Sequence, residues 1–331
     1  MPDKIFLSIL LPTYNRSVEL AKNLDLIISI VEGSIYKDEI EILISDNHST
    51  DKTPQLLRSL DFKDLNHKIF QQEKNMGPIY NCLYLLKNAT GRYFMYIGDD
   101  DYLDRGYLNE ILPGLKKDEE IFTVIPSTIS LYSSGQTRPG RDSDKKSKLY
   151  KQGFGNCLEN SWRGTQLSAT IHYREGLYEL YELQKIYNLY PYVFFIAYNS
   201  LRGKTWHMTE YPVTITQMDA SAMRLDYGSA NLIPEIFDNY KKLPGITYYQ
   251  RTLLEKKLLN VQPSRYLEYL KLKGIPGLTA CMMSLFRDKS TSTVTKILLP
   301  YIVFRAIIVR IFNECTKYTK SIISVNANYS K

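Results

Sequence analysis

Over residues 5–125 short apolar runs alternate with stretches of helical periodicity, and the runs end in clusters of small polar or acidic residues. Ile5–Leu11 is apolar but for Ser8, the pattern of a parallel strand buried on both faces. Pro12-Thr13-Tyr14-Asn15-Arg16-Ser17 turns the chain into a helix that carries Leu20, Leu24, Ile27, Ile28 and Val31 on one face and stops at Gly33. Ile40–Ile44 reads as a second strand ending in Ser45-Asp46-Asn47, and Thr53-Pro54 follows as an N-cap residue and a proline suited to the first helical position. Lys68–Gln71 is a short third strand, and residues 77–88 form a helix closed by Gly91. Arg92–Ile97 is a fourth strand that stops in Gly98-Asp99-Asp100-Asp101. A helix with Tyr107, Leu108, Ile111, Leu112 and Leu115 leads to a further strand, Ile121–Ile125. Strands separated by helices predict a doubly wound α/β sheet. Such sheets bind ligands at the carboxyl ends of their strands, and Thr13-Tyr14-Asn15, Asp46 and Asp99-Asp100-Asp101 stand at three of those ends.

The 331 residues suffice for about two domains with full cores, so neither disulfides nor a structural metal are needed. Cys82, Cys157, Cys281 and Cys315 lie far apart with no C-x-x-C spacing, which argues against a disulfide scaffold or zinc ribbon. Met1-Pro2-Asp3-Lys4 leads directly into the first strand without a signal-peptide pattern, so a cytoplasmic location is expected. Charge is uneven: residues 241–331 hold 16 Lys and Arg against 4 Asp and Glu, a net of +12 within a chain of net +7. The remainder is therefore slightly acidic, at −5. A basic region of this kind suits nucleic acid or an anionic membrane surface.

Three adjacent carboxylates repel one another unless a cation or full solvation relieves them. On a loop that follows a buried strand, oxygen ligands suit Mg²⁺ or Mn²⁺ shared with substrate phosphates. A solvated acidic turn is the bland alternative. No G-x-G-x-x-G or G-x-x-x-x-G-K-[ST] follows a strand, the four histidines have no metal-ligand spacing, and no G-x-S-x-G elbow occurs. Hydride transfer, P-loop nucleotide hydrolysis and serine hydrolase chemistry are thereby disfavoured.

Four blocks together resemble the family 2 glycosyltransferases of the GT-A fold. They are Leu7-Ser-Ile-Leu-Leu-Pro-Thr-Tyr-Asn-Arg16, Glu41-Ile-Leu-Ile-Ser-Asp-Asn-His-Ser-Thr-Asp51, Asn75-Met-Gly77 with Asn81, and Gly91-Arg-Tyr-Phe-Met-Tyr-Ile-Gly-Asp-Asp-Asp101. The resemblance is close over residues 5–125 and thins beyond. It implies a nucleotide-binding half (1–125) and an acceptor half (126–240) within one GT-A domain, followed by a basic helical region (241–331). Pro12, Thr13, Tyr14 and Asn15 would line the base and ribose of a nucleotide-sugar. Asp46 would accept a hydrogen bond from the base, and Asn75 and Asn81 would hold the adjoining loop and helix. Gly98 stands where many members have the first acidic residue of their metal motif, so Asp99 would reach the ribose. Asp100, supported by Asp101, would hold Mn²⁺ or Mg²⁺, which neutralises charge developing on the leaving diphosphate. UDP is the expected nucleotide by analogy.

In the acceptor half the sequence departs from the family. Many members carry a carboxylate as general base where this chain has Asn188-Leu-Tyr-Pro-Tyr-Val-Phe-Phe195. The base is left unassigned, with Glu159, Glu175, Glu179 and Asp219 as weak candidates. Trp162, Gln166 and Ser168, ahead of the strand-like Ala169–Tyr173, are acceptor-site candidates. Ser133–Lys151 has no apolar periodicity and reads as a surface loop or a lid; if it closed, Arg138, Arg141 or Lys145 would reach phosphate. The Gln-x-x-Arg-Trp motif of processive synthases is absent, so one sugar per binding event is expected.

Ile297–Phe312 is apolar but is interrupted by Pro300, Arg305 and Arg310, too short and charged to span a membrane comfortably. From Ala306 onward, positions 310, 313, 314, 317 and 320 share one helical face, and Ile308, Ile311, Cys315, Tyr318 and Ile322 the other. This reads either as a basic amphipathic helix at a membrane interface or as a terminal helix packed on its own domain. The function expected is addition of one sugar to a glycan acceptor, lipid-linked at the inner face of a membrane, in capsule or O-antigen type biosynthesis. The alternatives are a non-catalytic nucleotide- or membrane-binding partner of an assembly complex, a nucleotidyltransferase lacking the Gly-rich loop it would need, and a nucleic-acid surface without any nucleic-acid motif.

Overall fold

A computed structural model describes residues 5–217 and 232–328. The chain divides into two compact units, residues 1–224 with 242–245, and 225–241 with 246–331.

The first unit begins with β1 (Leu7–Thr13), α1 (Ser17–Glu32), β2 (Ile40–Asp46), α2 (Thr53–Ser59), β3 (Asn66–Gln71), α3 (Pro78–Asn88), β4 (Tyr93–Tyr96) and α4 (Tyr107–Lys117). It continues with β5 (Ile121–Tyr132), β6 (Thr137–Pro139), β7 (Lys148–Tyr150), α5 (Phe154–Asn160), β8 (Ile171–Tyr173), α6 (Leu177–Leu183), α7 (Pro191–Arg202) and β9 (Lys204–Gln217). Among the described residues the strands form one sheet in the order β3-β2-β1-β4-β8-β5-β9-β7, with β6 on β5. β1 runs parallel to β2 and β4, and β2 to β3, while β8 is antiparallel to both of its neighbours. Parallel pairing follows from the intervening helices, which carry the chain back over the sheet before each new strand. Leu7, Ile9, Leu10 and Leu11 are fully buried, as are Leu20, Leu24, Ile27 and Val31 on the inner face of α1. Gly91 lets the turn into β4 lie on β1: a Cβ there would come within 2.8 Å of the Ser8 backbone nitrogen.

Two segments differ from the sequence reading, and a third takes the place it was given. β5 runs on to Tyr132, because its outer half pairs with β9. Residues 133–151 are neither disordered nor a free lid, since they fold into β6 and β7 around a buried charge cluster. There Asp142 Oδ2 accepts from Arg163 Nε at 2.6 Å, and Arg141 donates to the carbonyls of Arg163 and Pro126. Burial alone would raise the Asp142 carboxyl, but His207 and Arg163 hold it far below the usual carboxylate range. The carboxylate-free stretch at 188–195 opens α7, whose Val193–Ala197 are fully buried core.

The second unit comprises α8 (Ile233–Lys241), α9 (Tyr248–Val261), α10 (Ser264–Arg287) and α11 (Thr293–Asn328). The expected boundary at 240/241 falls at the end of α8, which groups with these helices. α9 starts in a capping box of Thr247 and Gln250, and α10 is broken at Gly274, whose φ of +64° only glycine adopts readily. Glu255 is buried because Arg251 pairs with it at 2.8 Å and Ser292 donates to its other oxygen, which fastens α9 to the start of α11. Among the described residues no helix is long and apolar enough to cross a membrane.

Candidate functional site

The carboxyl ends of β1, β2 and β4 lie side by side, since Thr13 is in register with Asp46 and Leu10 with Tyr96. The turns that leave these strands are cross-linked. Asn15, at φ +52°, donates its N–H to Ser49 Oγ and accepts from Thr50 N at 2.7 Å. Asp51 accepts from the backbone N–H groups of Ser17 and Thr53, and these bonds hold its carboxyl down near 2 against the opposing effect of burial. Tyr14 is left exposed on the rim.

Asp46 is buried at the end of β2. Its Oδ1 accepts from Ser49 N at 3.0 Å, while the buried Oδ2 has no hydrogen-bond partner among the described residues. A buried carboxylate oxygen without a partner is costly in the isolated protein. A cavity of about 340 Å³ borders Asp46, lined also by Leu57, Arg58, Phe62, His67 and Gln71. Asn75 and Asn81 bond to the segments around the end of β2. Asn75 Oδ1 accepts from Asn47 Nδ2 and Gly77 N, and Asn81 Nδ2 donates to the Ser45 carbonyl.

The aspartates after β4 occupy three different environments. Asp99 Oδ2 accepts from the Thr13 hydroxyl at 2.9 Å, tying the loop to the end of β1. Asp100 has Arg16 Nη1 at 3.5 Å from its Oδ2. Asp101 is buried: Ser168 Oγ donates to one oxygen and Thr216 N to the other at 2.9 Å. Burial pushes the carboxyls of Asp99 and Asp101 up to about 6, against the hydrogen bonds from Thr13 and Ser168, with the charge of Asp100 adding to the rise.

Ser168 is placed here and not on an acceptor surface. It is fully buried, accepts from Gly98 N at 2.9 Å and donates to Asp101, so it clamps both ends of the aspartate loop. Gly98 itself is required by this packing, because a Cβ there would sit 2.9 Å from Asp101 Oδ2. Both oxygens of Asp101 are engaged within the protein, which makes it the loop's anchor, whereas Asp100 is the member left at the surface. Thr216, on β9, had no signal in the sequence: it donates its N–H to Asp101 and its hydroxyl to the Asp100 carbonyl. Arg16, read only as part of a turn, is the cation nearest Asp100 among the ion pairs of the described residues.

The remaining candidates lie elsewhere. Glu175 and Glu179 border a hollow with Arg92, at the amino end of β4, because β8 runs antiparallel to β4 and delivers them to the opposite edge of the sheet from the aspartates. That orientation excludes both as a base at the aspartate loop. The Glu159 carbonyl, in the last turn of α5, accepts from Trp162 Nε1, and the Trp162 ring stacks on Arg163 in the turn at Ser161–Thr165. Gln166 closes the same turn through its N–H to the Arg163 carbonyl. Arg141 is committed to backbone carbonyls and Lys145 to Asp142, and Arg138 lies over the Tyr132 ring, so none of the three is at the aspartates. Asp219 lies outside the described residues.

Among the described residues no three or more His, Cys, Asp or Glu side chains gather into a metal cage. The loop offers Asp100, with Asp99 beside it. That donor set fits a hard cation that completes its shell with water and phosphate oxygens, and does not fit a closed protein site.

Residues 8–173, half of the chain, match the sequence model of the family described as glycosyl transferase family 2. The chain belongs to this family. Its family 2 relatives include a GalNAc(5)-diNAcBac-PP-undecaprenol beta-1,3-glucosyltransferase of Campylobacter jejuni, 29% identical over 45% of this chain and 47% of that protein. The abequosyltransferase RfbV of Salmonella typhimurium is 26% identical over 78% of this chain and 80% of its own. Full-length TarS, a poly(ribitol-phosphate) beta-N-acetylglucosaminyltransferase of Staphylococcus aureus, is matched over 18% of its length. The crystal structure of TarS residues 1–349 with UDP-GlcNAc superposes with a TM-score of 0.68 at 18% identity, covering 92% of this chain and 88% of that one. The likeness establishes the GT-A architecture: a mixed α/β sheet followed by C-terminal helices.

Proposed function

We propose that this protein is a metal-dependent glycosyltransferase that moves one sugar from a nucleoside diphosphate donor to a lipid-linked glycan, in surface-polysaccharide assembly. The observation that carries the reading is the set of strand ends at which Asp46, on β2, presents a buried oxygen without a partner among the described residues, and Asp99-Asp100, after β4 on the far side of β1, present carboxylates. Asp46 Oδ2 would accept an N–H from the base, and Tyr14 would lie against the ring from the rim. Asp99, fixed by Thr13, would meet the ribose, and Asp100 would hold Mn²⁺ or Mg²⁺. When bound there, the cation would supply Lewis-acid compensation for charge building on the diphosphate. Arg16, alongside Asp100, would face the same phosphates. The electron pair of the broken bond to the anomeric carbon leaves with the diphosphate, and the acceptor hydroxyl forms the new bond and gives up its proton to a general base or to water. UDP is the favoured nucleotide, since a fold relative was crystallised with UDP-GlcNAc, and the acceptor class follows the undecaprenol-linked substrate in the name of the Campylobacter relative.

Calorimetry with UDP, dTDP, GDP and CDP, with and without Mn²⁺, tests the donor site. One nucleotide is expected to bind in a manner that requires both Mn²⁺ and Asp100, so that Asp100→Ala loses it. Absence of binding by all four overturns the donor site. The carboxylate-free opening of α7 favours a second reading, a nucleotide-binding assembly partner without turnover. Release of nucleotide diphosphate in the presence of membrane-extracted acceptor separates the two: the enzyme releases it, the partner does not.

A further inference from the structure

Among the described residues the outer face of α11 is an apolar seam that nothing covers. The inner side of its first half packs on its own unit, where Thr295, Leu299, Ile302 and Val303 are buried. On the opposite side, Val294, Ile297, Tyr301, Phe304, Ile308 and Ile311 stand 41%, 72%, 63%, 64%, 49% and 52% exposed. Their spacing alternates strictly between three and four residues, and the sequence continues it at Cys315, Tyr318, Ile322 and Val325 while the helix runs on to Asn328. Ten consecutive positions therefore repeat at 3.5 residues per turn.

That period separates the two kinds of surface the seam could meet. A straight helix has about 3.6 residues per turn, so a seam of period 3.5 drifts by about 20° per heptad. Over four heptads it turns away from any plane by about 80°, and a flat lipid surface would lose one end of it. A second helix that supercoils with the first keeps contact along the whole length. The charges agree, because Lys296, Arg310, Lys317 and Lys320 all fall outside the seam positions in the sequence. Area agrees as well. Side chains of this size and exposure offer on the order of 100 Å² each. The six described positions thus approach the roughly 800 Å² that each partner contributes to a standard interface, before the continuation is counted.

We propose that α11 is a self-association element, and that its seam pairs with the same helix of a second copy of this chain. The inference is independent of the donor chemistry.

Sedimentation velocity of the full chain tests it, at micromolar concentration in high salt without lipid. The wild type is expected to sediment at twice its 38.5 kDa mass or more. Ile308→Asp and Ile311→Asp place a charge in the seam and are expected to weaken association by about 100-fold or more. Val309→Asp, exposed but off the seam, is expected to leave it unchanged. Circular dichroism and nucleotide binding, the same in all four proteins, would show that the chain remains folded. A monomeric wild type overturns the proposal, as does an equal effect of the Val309 and seam variants. A monomeric wild type whose binding to vesicles is abolished by Ile308→Asp would assign the face to lipid instead.

Discussion

Gly98 takes its meaning from what surrounds it. This position has no side chain at all, and the space is taken by Asp101 and Ser168. The aspartate loop is held from beneath by Ser168 and from the side by Thr216, so Asp100 is displayed on a fixed backbone. Ser168→Ala would leave the Gly98 N–H and an Asp101 oxygen without their partner in a buried place, at a cost of about 1–3 kcal/mol. Metal-dependent nucleotide binding is expected to weaken about 10-fold, with a lower melting temperature, read by calorimetry and thermal unfolding. Gly98→Ala is expected to be at least as damaging to nucleotide binding, because its Cβ presses on the anchoring carboxylate. Nucleotide binding that is unchanged in both variants would show that the clamp does not govern Asp100.

At the scale of elements, the first half of the sheet was legible because each buried strand and helix carries its own periodicity. Ile5–Leu11 and Ile40–Ile44 could be read as doubly buried strands, and Leu20 to Val31 as the inner face of α1, without knowledge of any partner. What could not be read depends on distant pairing. Thr216 reaches Asp101 from 115 residues away, and its own neighbours show only strand alternation. Arg141 and Lys145 look like loop cations until Asp142, Arg163 and His207 are brought round them by β9 and the 161–165 turn. Glu175 looked eligible as a base because sequence does not state the direction of β8. The same antiparallel strand places His172 between β4 and α7, stacked on Phe94 with the ring of Phe195 edge-on. Neither ring nitrogen has a partner among the described residues, and burial lowers the imidazole to about 3. The unfolded chain takes up a proton near pH 6.5 that the native protein refuses, so stability falls as pH drops from about 6.5 toward 3. Between pH 7 and 4.5 the contribution amounts to about 2–3 kcal/mol. Urea unfolding should therefore show His172→Phe losing less stability over that interval than the wild type by about this amount. Parallel curves for the two proteins would place the acid sensitivity elsewhere.

For the whole molecule, the separation of charge is what sequence reveals most directly, and the folded units narrow it to +8 and −1, because residues 225–240 bring Asp226, Glu235 and Asp238 to the basic helices and Lys242 stays with the sheet. Residues 241–331 carry a net of +12 and the rest of the chain −5, so an anionic bilayer would attract the first region and weakly repel the other. Each Lys or Arg near such a surface contributes about 1 kcal/mol, and the attraction decays within a Debye length of about 10 Å at 0.1 M salt. With the apolar seam of α11 engaged by a second copy, attachment rests on these charges, and self-association doubles the number presented to one membrane. Flotation with vesicles containing phosphatidylglycerol is expected to recover the protein at low salt and to release it at about 0.5 M NaCl, where screening is nearly complete over the relevant distances. Neutral phosphatidylcholine vesicles should not recover it. Seam variants that remain monomeric should float more weakly at intermediate salt without losing the salt dependence. Binding that persists in high salt would instead require acyl-chain burial, and would return the outer face of α11 to the lipid.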